Sequence, residues 1–293
     1  MSSTREIRRR IRSVKNIAKV TKAMEAVAAS KMRRAQQQVL ATRPYAEKSW
    51  EVLTFLARLR ATNAAEQPLL QHRPVTSIGL LLITADRGLA GAYNGNIIRT
   101  AVDQIGKWEE EGKQVRVVTV GRKGRDWMLW YGQRWFWADF SGLTDRPSSR
   151  DIAPIARSLI DEFTGGTYDA VHIAFTSFIN TLHQEPTIFP LLPIEPAVPE
   201  VPMAADYIFE PDPRTILDEV LRGIAELQIL QAVYESIASE QSARMVAMRN
   251  ATDAANDLTG ELTLSYNKAR QEAITGELLD IVGGSAVLEK SRT

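Results

Sequence analysis

The sequence predicts an α/β protein in which long N- and C-terminal helices form an antiparallel coiled coil around an inserted α/β domain. Three observations lead there. The thirteen prolines of the 293-residue chain leave residues 1–43 and 214–293 free of proline, and interior proline costs a helix about 3 kcal/mol. Both proline-free ends repeat apolar residues with a helical period. Between them, short β-branched runs alternate with amphipathic stretches, the pattern of a mainly parallel sheet.

In the N-terminal arm Ile7, Ile11, Val14, Ile17, Val20, Met24, Val27, Met32, Ala35 and Val39 recur about every 3.6 residues, as on one face of a helix. Ser3 and Thr4 are candidate N-caps, with Glu6 in the first turn. The stripe is narrow, as a coiled-coil seam is, and the remaining faces are basic.

The C-terminal arm opens with Asp212 as N-cap and Pro213 in the first turn. Leu217, Val220, Leu221, Ile224, Leu227, Leu230, Val233, Ile237, Met245, Met248, Ala255, Leu258, Leu262, Tyr266 and Ala269 keep the helical period. One helix over residues 213–282 would be roughly 100 Å long, at about 1.5 Å per residue. No globular domain of this size encloses that, so the helix must pair with another or enter a partner. Gly283-Gly284 is expected to end or interrupt it.

In the middle, Ser77–Ile83, Val115–Val120, Arg134–Ala138 and Ala170–Phe175 read as strands, and residues 94–111, 122–131 and 149–164 as helices. This is a Rossmann-like α/β domain. Pro190, Pro193, Pro196, Pro199 and Pro202 recur every third residue, which suits a stiff extended connector. The expected organisation is therefore a helix in 1–60, an α/β domain in 75–205 with a proline-rich connector over 186–202, and a second helix in 206–293.

Charge is asymmetric although the net value is only +1. Residues 1–48 hold 13 Lys/Arg against 3 Asp/Glu, and residues 206–293 hold 8 against 15. Opposite signs favour mutual approach of the ends or two different partners. Cysteine is absent, which excludes disulfides, thiolate zinc sites and cysteine nucleophiles. No apolar run approaches the ~20 residues of a membrane span. The basic start lacks the apolar core of a secretory signal.

Little points to catalysis. Thr84–Gly95 is a glycine-rich strand-to-helix turn, the place where α/β folds bind phosphate, but it matches neither GxGxxG nor GxxxxGK[ST]. It reads as a tight turn with Asp86 and Arg87 paired or capping. Gly121–Gly124 is a similar case. His72, His172 and His183 show no ligand spacing, and His172 reads as a hydrogen-bonded core residue. Trp127, Trp130, Trp135 and Trp137 read as core or an interface patch. No cofactor and no metal are expected. The basic segment IRRRIRSVKNIAKVTK has the charge of a nucleic-acid-binding arm, but a regular apolar stripe runs through the basic part itself. An enzyme built on the α/β domain is a further rival, and neither rival accounts for two long, oppositely charged terminal helices.

The segments Ile7–Asn16 and Lys22–Gln36, the turn Asp86-Arg87-Gly88-Leu89-Ala90-Gly91, Phe178–Thr181, Glu210–Pro213, Ser239–Thr252, Tyr266–Gln271, Ile274-Thr275 and Ile281–Gly284 together resemble the γ subunits of F-type ATP synthases, in family order over nearly the whole chain. Ala90 stands where the family usually has cysteine, Ile17-Ala18 stands where threonine and a polar residue are common, and the chloroplast redox insert is missing. The resemblance assigns no role to the tryptophan-rich segment 127–137.

The resemblance implies a non-catalytic central-stalk rotor on the cytoplasmic face of a bacterial plasma membrane. It would turn inside the ring of α and β subunits, with its foot on the ε subunit and the c ring. Met24 and Arg244 would lie near the acidic loop of β. Arg270 and Gln271 would contact a catalytic subunit higher up, and Thr275, Glu277 and Asp280 would pass through the bearing. Tyr207 and Glu210 would face the c ring. The basic residues Arg8, Arg9, Arg12, Lys15, Lys19 and Lys22 suit acidic loops of the catalytic ring.

Overall fold

The run Ser-Ile-Gly-Leu-Leu-Leu-Ile at Ser77–Ile83 is apolar on both of its faces, as a strand covered on both sides must be. In the computed structural model, which describes residues 4–58, 67–195 and 213–290, it is the central strand β1 of a five-stranded sheet. Strands β2 (Gln114–Val120), β3 (Phe136–Asp139), β4 (Ala170–Phe178) and β5 (Gln184–Leu192) complete the sheet in the order β3-β2-β1-β4-β5. The helices are α1 (Thr4–Arg58), α2 (Tyr93–Glu110), α3 (Arg122–Tyr131), α4 (Ser149–Thr164) and α5 (Pro213–Lys290).

The chain divides into two units, one of Met1–Val27 with Met245–Thr293 and one of Ala28–Arg244. In the larger unit the sheet faces alternate by residue. Ile78, Leu80 and Leu82 pack with Ile97, Ala101 and Ile105 of α2. Leu81 and Ile83 pack with Ile152, Leu159 and Phe163 of α4 and with Leu217, Leu221, Ile224 and Tyr234 of α5. From Leu217 to Ala238 most apolar positions of α5 are buried, as in a helix enclosed by a core. The α4 start is set by a capping box in which Ser148 and Asp151 bond each other's backbone.

Strands β1 to β4 are parallel, as expected, and β5 is antiparallel to β4. The sheet is thus mixed. The proline-rich stretch 186–202, expected as connector, enters the sheet at its start. Pro186 lies opposite Thr176 and Pro190 opposite His172. An edge strand tolerates proline because one side of it needs no N–H, and β5 is an edge. Residues 196–202 lie outside the described residues, as do Ser3 and Asp212, the expected caps. Pro44 lies inside α1, where it removes one helical hydrogen bond without ending the helix. Nor do Gly283-Gly284 end α5, which runs to Lys290; a helical glycine costs about 1 kcal/mol relative to alanine.

In the smaller unit α1 and α5 run antiparallel. Thr21 Oγ1 lies 2.7 Å from Thr252 Oγ1, and Arg249 Nε donates to Glu25 Oε1 at 3.3 Å. The seam runs through the covered positions Ile7, Ile11, Val14, Ala18, Thr21 and Glu25 of α1 and Met248, Thr252, Ala255, Thr259, Leu262, Tyr266 and Ala269 of α5, with Met24 and Ala251 half-buried at its flanks. Steps alternate between 3 and 4 residues on both helices, the 3.5-residue period of a coiled-coil seam. The seam differs from the predicted stripe: Ile17, Val20 and Val27 are exposed. After Val14 the seam is occupied by Ala18, Thr21 and Glu25, which are small or polar, with Met24 half-buried beside them.

Candidate partner-contact site

Stepping from the Thr21–Thr252 pair in opposite directions brings Val14 level with Thr259 and Ile7 level with Tyr266. The described start of α1, Thr4, is therefore level with Ala269. Beyond it α5 continues with no pairing helix among the described residues, and Arg270, Gln271, Thr275 and Glu277 are all exposed. So are Ile274, Leu278 and Ile281, at 46%, 58% and 69%. Their spacing of 4 and 3 residues places them on one helix face. Leu279 is exposed as well, at 66%, and exposed apolar side chains gathered on one helix end are the pattern of a surface that another molecule covers. Asp280 lies in the same helix by its backbone. The structure thus gathers five of the expected contact residues on one projecting segment.

Met24 is half-buried on α1. Tyr207 and Glu210 lie outside the described residues.

Arg244 is only 8% exposed. Its Nη1 donates to Glu240 Oε1 at 2.6 Å, and its Nη2 to the carbonyls of Gly88 at 3.1 Å and Arg87 at 3.4 Å. Burial pushes the Glu240 carboxyl above its ordinary range, while Arg244 pulls it back. A contact with a partner through Arg244 would use the donors that remain. The acceptors come from the glycine-rich turn. Asp86 Oδ1 accepts the Arg122 N–H at 2.9 Å, and Asn94 Oδ1 accepts that of Ala85 at 2.9 Å. Leu89 and Gly91 have φ of 63° and 55°. The turn is thus a socket for Arg244, with Asp86 capping as expected. Downstream, Gly121 has φ of 98°, and a Cβ there would sit 2.1 Å from the Thr84 carbonyl oxygen. Both turns are therefore closed on each other.

The serines upstream of Arg244 fasten α5 to the β4–β5 hairpin. Ser239 Oγ donates to the Thr176 carbonyl at 3.1 Å and Ser242 Oγ to that of Thr181 at 2.7 Å. The hydroxyls at 239 and 242 and the arginine at 244 thus share one structural task.

Sequence reasoning missed Glu25. It is buried on the seam between Lys22 Nζ at 3.0 Å and Arg249 Nε at 3.3 Å. The hydrogen bond from Lys22, with that from Arg249, holds its carboxyl below the ordinary 4.5. Heptad spacing from Ile11 and Ala18 was the signal that could have found it. It also missed Glu240, placed one turn before Arg244, where such pairs meet.

His172 packs against the Trp108 ring at 4.9 Å. Its Nδ1 is buried without a hydrogen-bond partner among the described residues, unlike the hydrogen-bonded residue expected. Burial lowers its pKa to about 4, so it is neutral near pH 7. The tryptophans divide: Trp127 and Trp135 pack on the α2-side core, whereas Trp130 is 80% exposed. No group of three or more His, Cys, Asp or Glu that could hold a metal occurs among the described residues. No helix there is long and apolar enough to cross a membrane.

Comparison with known proteins agrees with this arrangement. The family model for ATP synthase matches residues 3–288. The ATP synthase gamma chain of Dehalococcoides mccartyi strain CBDB1 is 50% identical over 288 residues, covering 98% of this chain and 100% of its own. Those of Roseiflexus sp. strain RS-1 and Legionella pneumophila strain Corby are 49% and 42% identical, each over 98% of this chain and 99% and 100% of theirs. The chain belongs to the ATP synthase gamma chain family. The family fold is also seen at low identity. A chain of the Euglena gracilis mitochondrial ATP synthase OSCP/F1/c-ring structure superposes with a TM-score of 0.68 at 19% identity, over 99% of this chain and 96% of that one. A chain of the Tetrahymena thermophila central stalk and c-ring structure does so with 0.59 at 22%, over 79% and 99%.

Proposed function

We propose that this gamma chain is the rotor shaft of an F-type ATP synthase, coupling ion flow through a membrane c ring to conformational cycling of catalytic β subunits. The observation that carries this reading is the unpaired end of α5, where Ile274, Leu278 and Ile281 stand exposed beside Arg270, Gln271, Thr275 and Glu277. A shaft that turns inside a ring needs a stiff root and a surface that meets each catalytic subunit differently. Paired helices supply the root. A helix end on which exposed apolar side chains alternate with Arg270, Gln271, Thr275 and Glu277 supplies the asymmetry.

On this reading residues 1–60 and 206–293 form the shaft, and 75–205 form a foot contacting the ε subunit and the c ring, with Tyr207 and Glu210 facing that ring. Asp280 passes through the bearing with Thr275 and Glu277, and Met24 and Arg244 lie toward the acidic loop of β. The coupled ion is a proton or sodium. The chain itself performs no chemistry. It sits peripherally on the cytoplasmic face of a bacterial plasma membrane. The nucleic-acid reading of the basic N-terminal helix finds no support: that helix is seamed to α5, and the reported relatives are gamma chains.

The test is ATP synthesis per ion translocated in vesicles carrying the assembled complex with Met24→Lys. The added charge is expected to lower that ratio while leaving assembly intact. Normal coupling in this variant would refute the placement of Met24.

A further inference from the structure

Lys31, Arg34, Ala35 and Gln38 follow the i, i+3, i+4, i+7 spacing of one helix face, and in the larger unit that face of α1 forms one wall of a half-open cleft of about 310 Å³. The opposite wall is Thr144, Asp145 and Arg146. This loop is held from behind. The buried Tyr234 hydroxyl donates to the Pro147 carbonyl at 2.6 Å. Leu143 and Phe140 pack on the core under α4. The Arg146 N–H reaches Thr144 Oγ1 at 3.3 Å. Its side chains are therefore presented from a fixed frame, and preorganised donors bind at lower entropic cost.

The charges in the cleft do not balance. Lys31 Nζ lies 2.6 Å from Asp145 Oδ2, which commits the cleft's carboxylate. Arg34 and Arg146 have no ion-pair or hydrogen-bond acceptor for their side chains among the described residues. Folding thus brings three cations and one carboxylate to the same cavity, an excess of positive charge that an entering anion relieves. A carboxylate offers two oxygens. Two guanidinium forks, the Thr144 hydroxyl and the Gln38 amide offer more donors than two oxygens can accept, and the planar fork matches phosphate bidentately.

We infer that this cleft is a binding site for a small phosphoryl-bearing anion of about the size of a diphosphate, held by Arg34 and Arg146. It is separate from the helix end on which the rotor reading rests.

Titration calorimetry of the full chain with sodium pyrophosphate tests it, with hexaglutamate as the carboxylate probe. Saturable one-site binding is expected, weakened about tenfold by Arg34→Gln and by Arg146→Gln, since each removes a bidentate charge-assisted contact. Arg5→Gln, an exposed cation of the N-terminal helix, is expected to leave the affinity unchanged. Asp145→Asn removes the competing carboxylate and is expected to tighten binding several-fold, a gain that misfolding does not produce. Absence of saturable binding would overturn the proposal. So would an equal loss in Arg5→Gln, which would mean diffuse attraction to the basic helix, or tighter binding of hexaglutamate than of pyrophosphate, which would assign the cleft to an acidic peptide.

Discussion

Arg249 and Glu25 meet 3.3 Å apart across the seam of α1 and α5, and Glu25 is the buried carboxylate of that seam. Lys22 adds a second cation at 3.0 Å. Two flanking cations let a carboxylate occupy a position where an apolar residue is usual, and they favour one register over its neighbours.

Glu25→Gln is therefore expected to lower the melting temperature of the chain at neutral pH. The folded-state pKa of Glu25 lies below its ordinary 4.5. Its contribution is thus complete above that value and is lost as pH falls through the lower folded value. Thermal melts of both proteins should converge as pH is taken well below 4.5 and stay apart above it. A constant gap at every pH would show that the carboxylate charge is not what acts.

Arg244→Ala is expected to cost about 3–5 kcal/mol, the range for stripping one partner from a buried ion pair. It leaves Glu240 buried beside two unmet carbonyls. Urea unfolding measures the loss. The Glu240 carboxyl is already raised by burial, so its folded form binds a proton more readily than the unfolded chain does. Without Arg244, stability should fall more steeply as pH rises through the raised value. Adding Glu240→Gln to Arg244→Ala should restore part of the loss and flatten that slope.

Gly121→Ala is expected to destabilise the chain by about 3 kcal/mol, combining left-handed strain with a backbone clash. Its φ is 98° and the added Cβ would fall 2.1 Å from the Thr84 oxygen. Gly95→Ala, where a Cβ meets nothing within 4 Å, is the matched control and should change stability by well under that amount. Equal effects at the two positions would refute the account of the paired turns.

Ile274→Asp with Leu278→Asp should leave unfolding of the isolated chain unchanged, because both side chains are exposed at 46% and 58%. In the assembled complex the same pair should weaken ATP-driven ion pumping about tenfold, on the scale of losing apolar anchors from an interface. A destabilised isolated chain would mean that this face is covered within the chain.

Both long helices, the ranges of β1 and β2 and the three helices between strands were legible in the residues. Periodicity and proline placement are local, and a run such as Ser77–Ile83 is a buried strand in almost any surroundings. The strand β5 was not legible, since Pro186 and Pro190 contradict strand propensity and only its place at the sheet edge makes them tolerable. Arg244 reads as a surface cation until the turn at Arg87-Gly88 is folded against it. The residues of the helix end were expected as contacts from family resemblance alone, and their exposure is a property of the folded helix pair.

The seam shows the division most clearly. The apolar residues Ile17, Val20, Met24 and Val27 determined by themselves that this stretch is a helix. Which side of it is covered was decided by α5, which brings Thr252 to Thr21 and Arg249 to Glu25 and leaves Ile17, Val20 and Val27 outside. Helical periodicity is a property of one chain segment, whereas burial belongs to a pair of surfaces. Small residues such as Ala18 and Ala255 let two helices come close, and hydrogen-bonded Thr21 and Glu25 fill the rest of the contact. A scale that counts apolar side chains has no term for either.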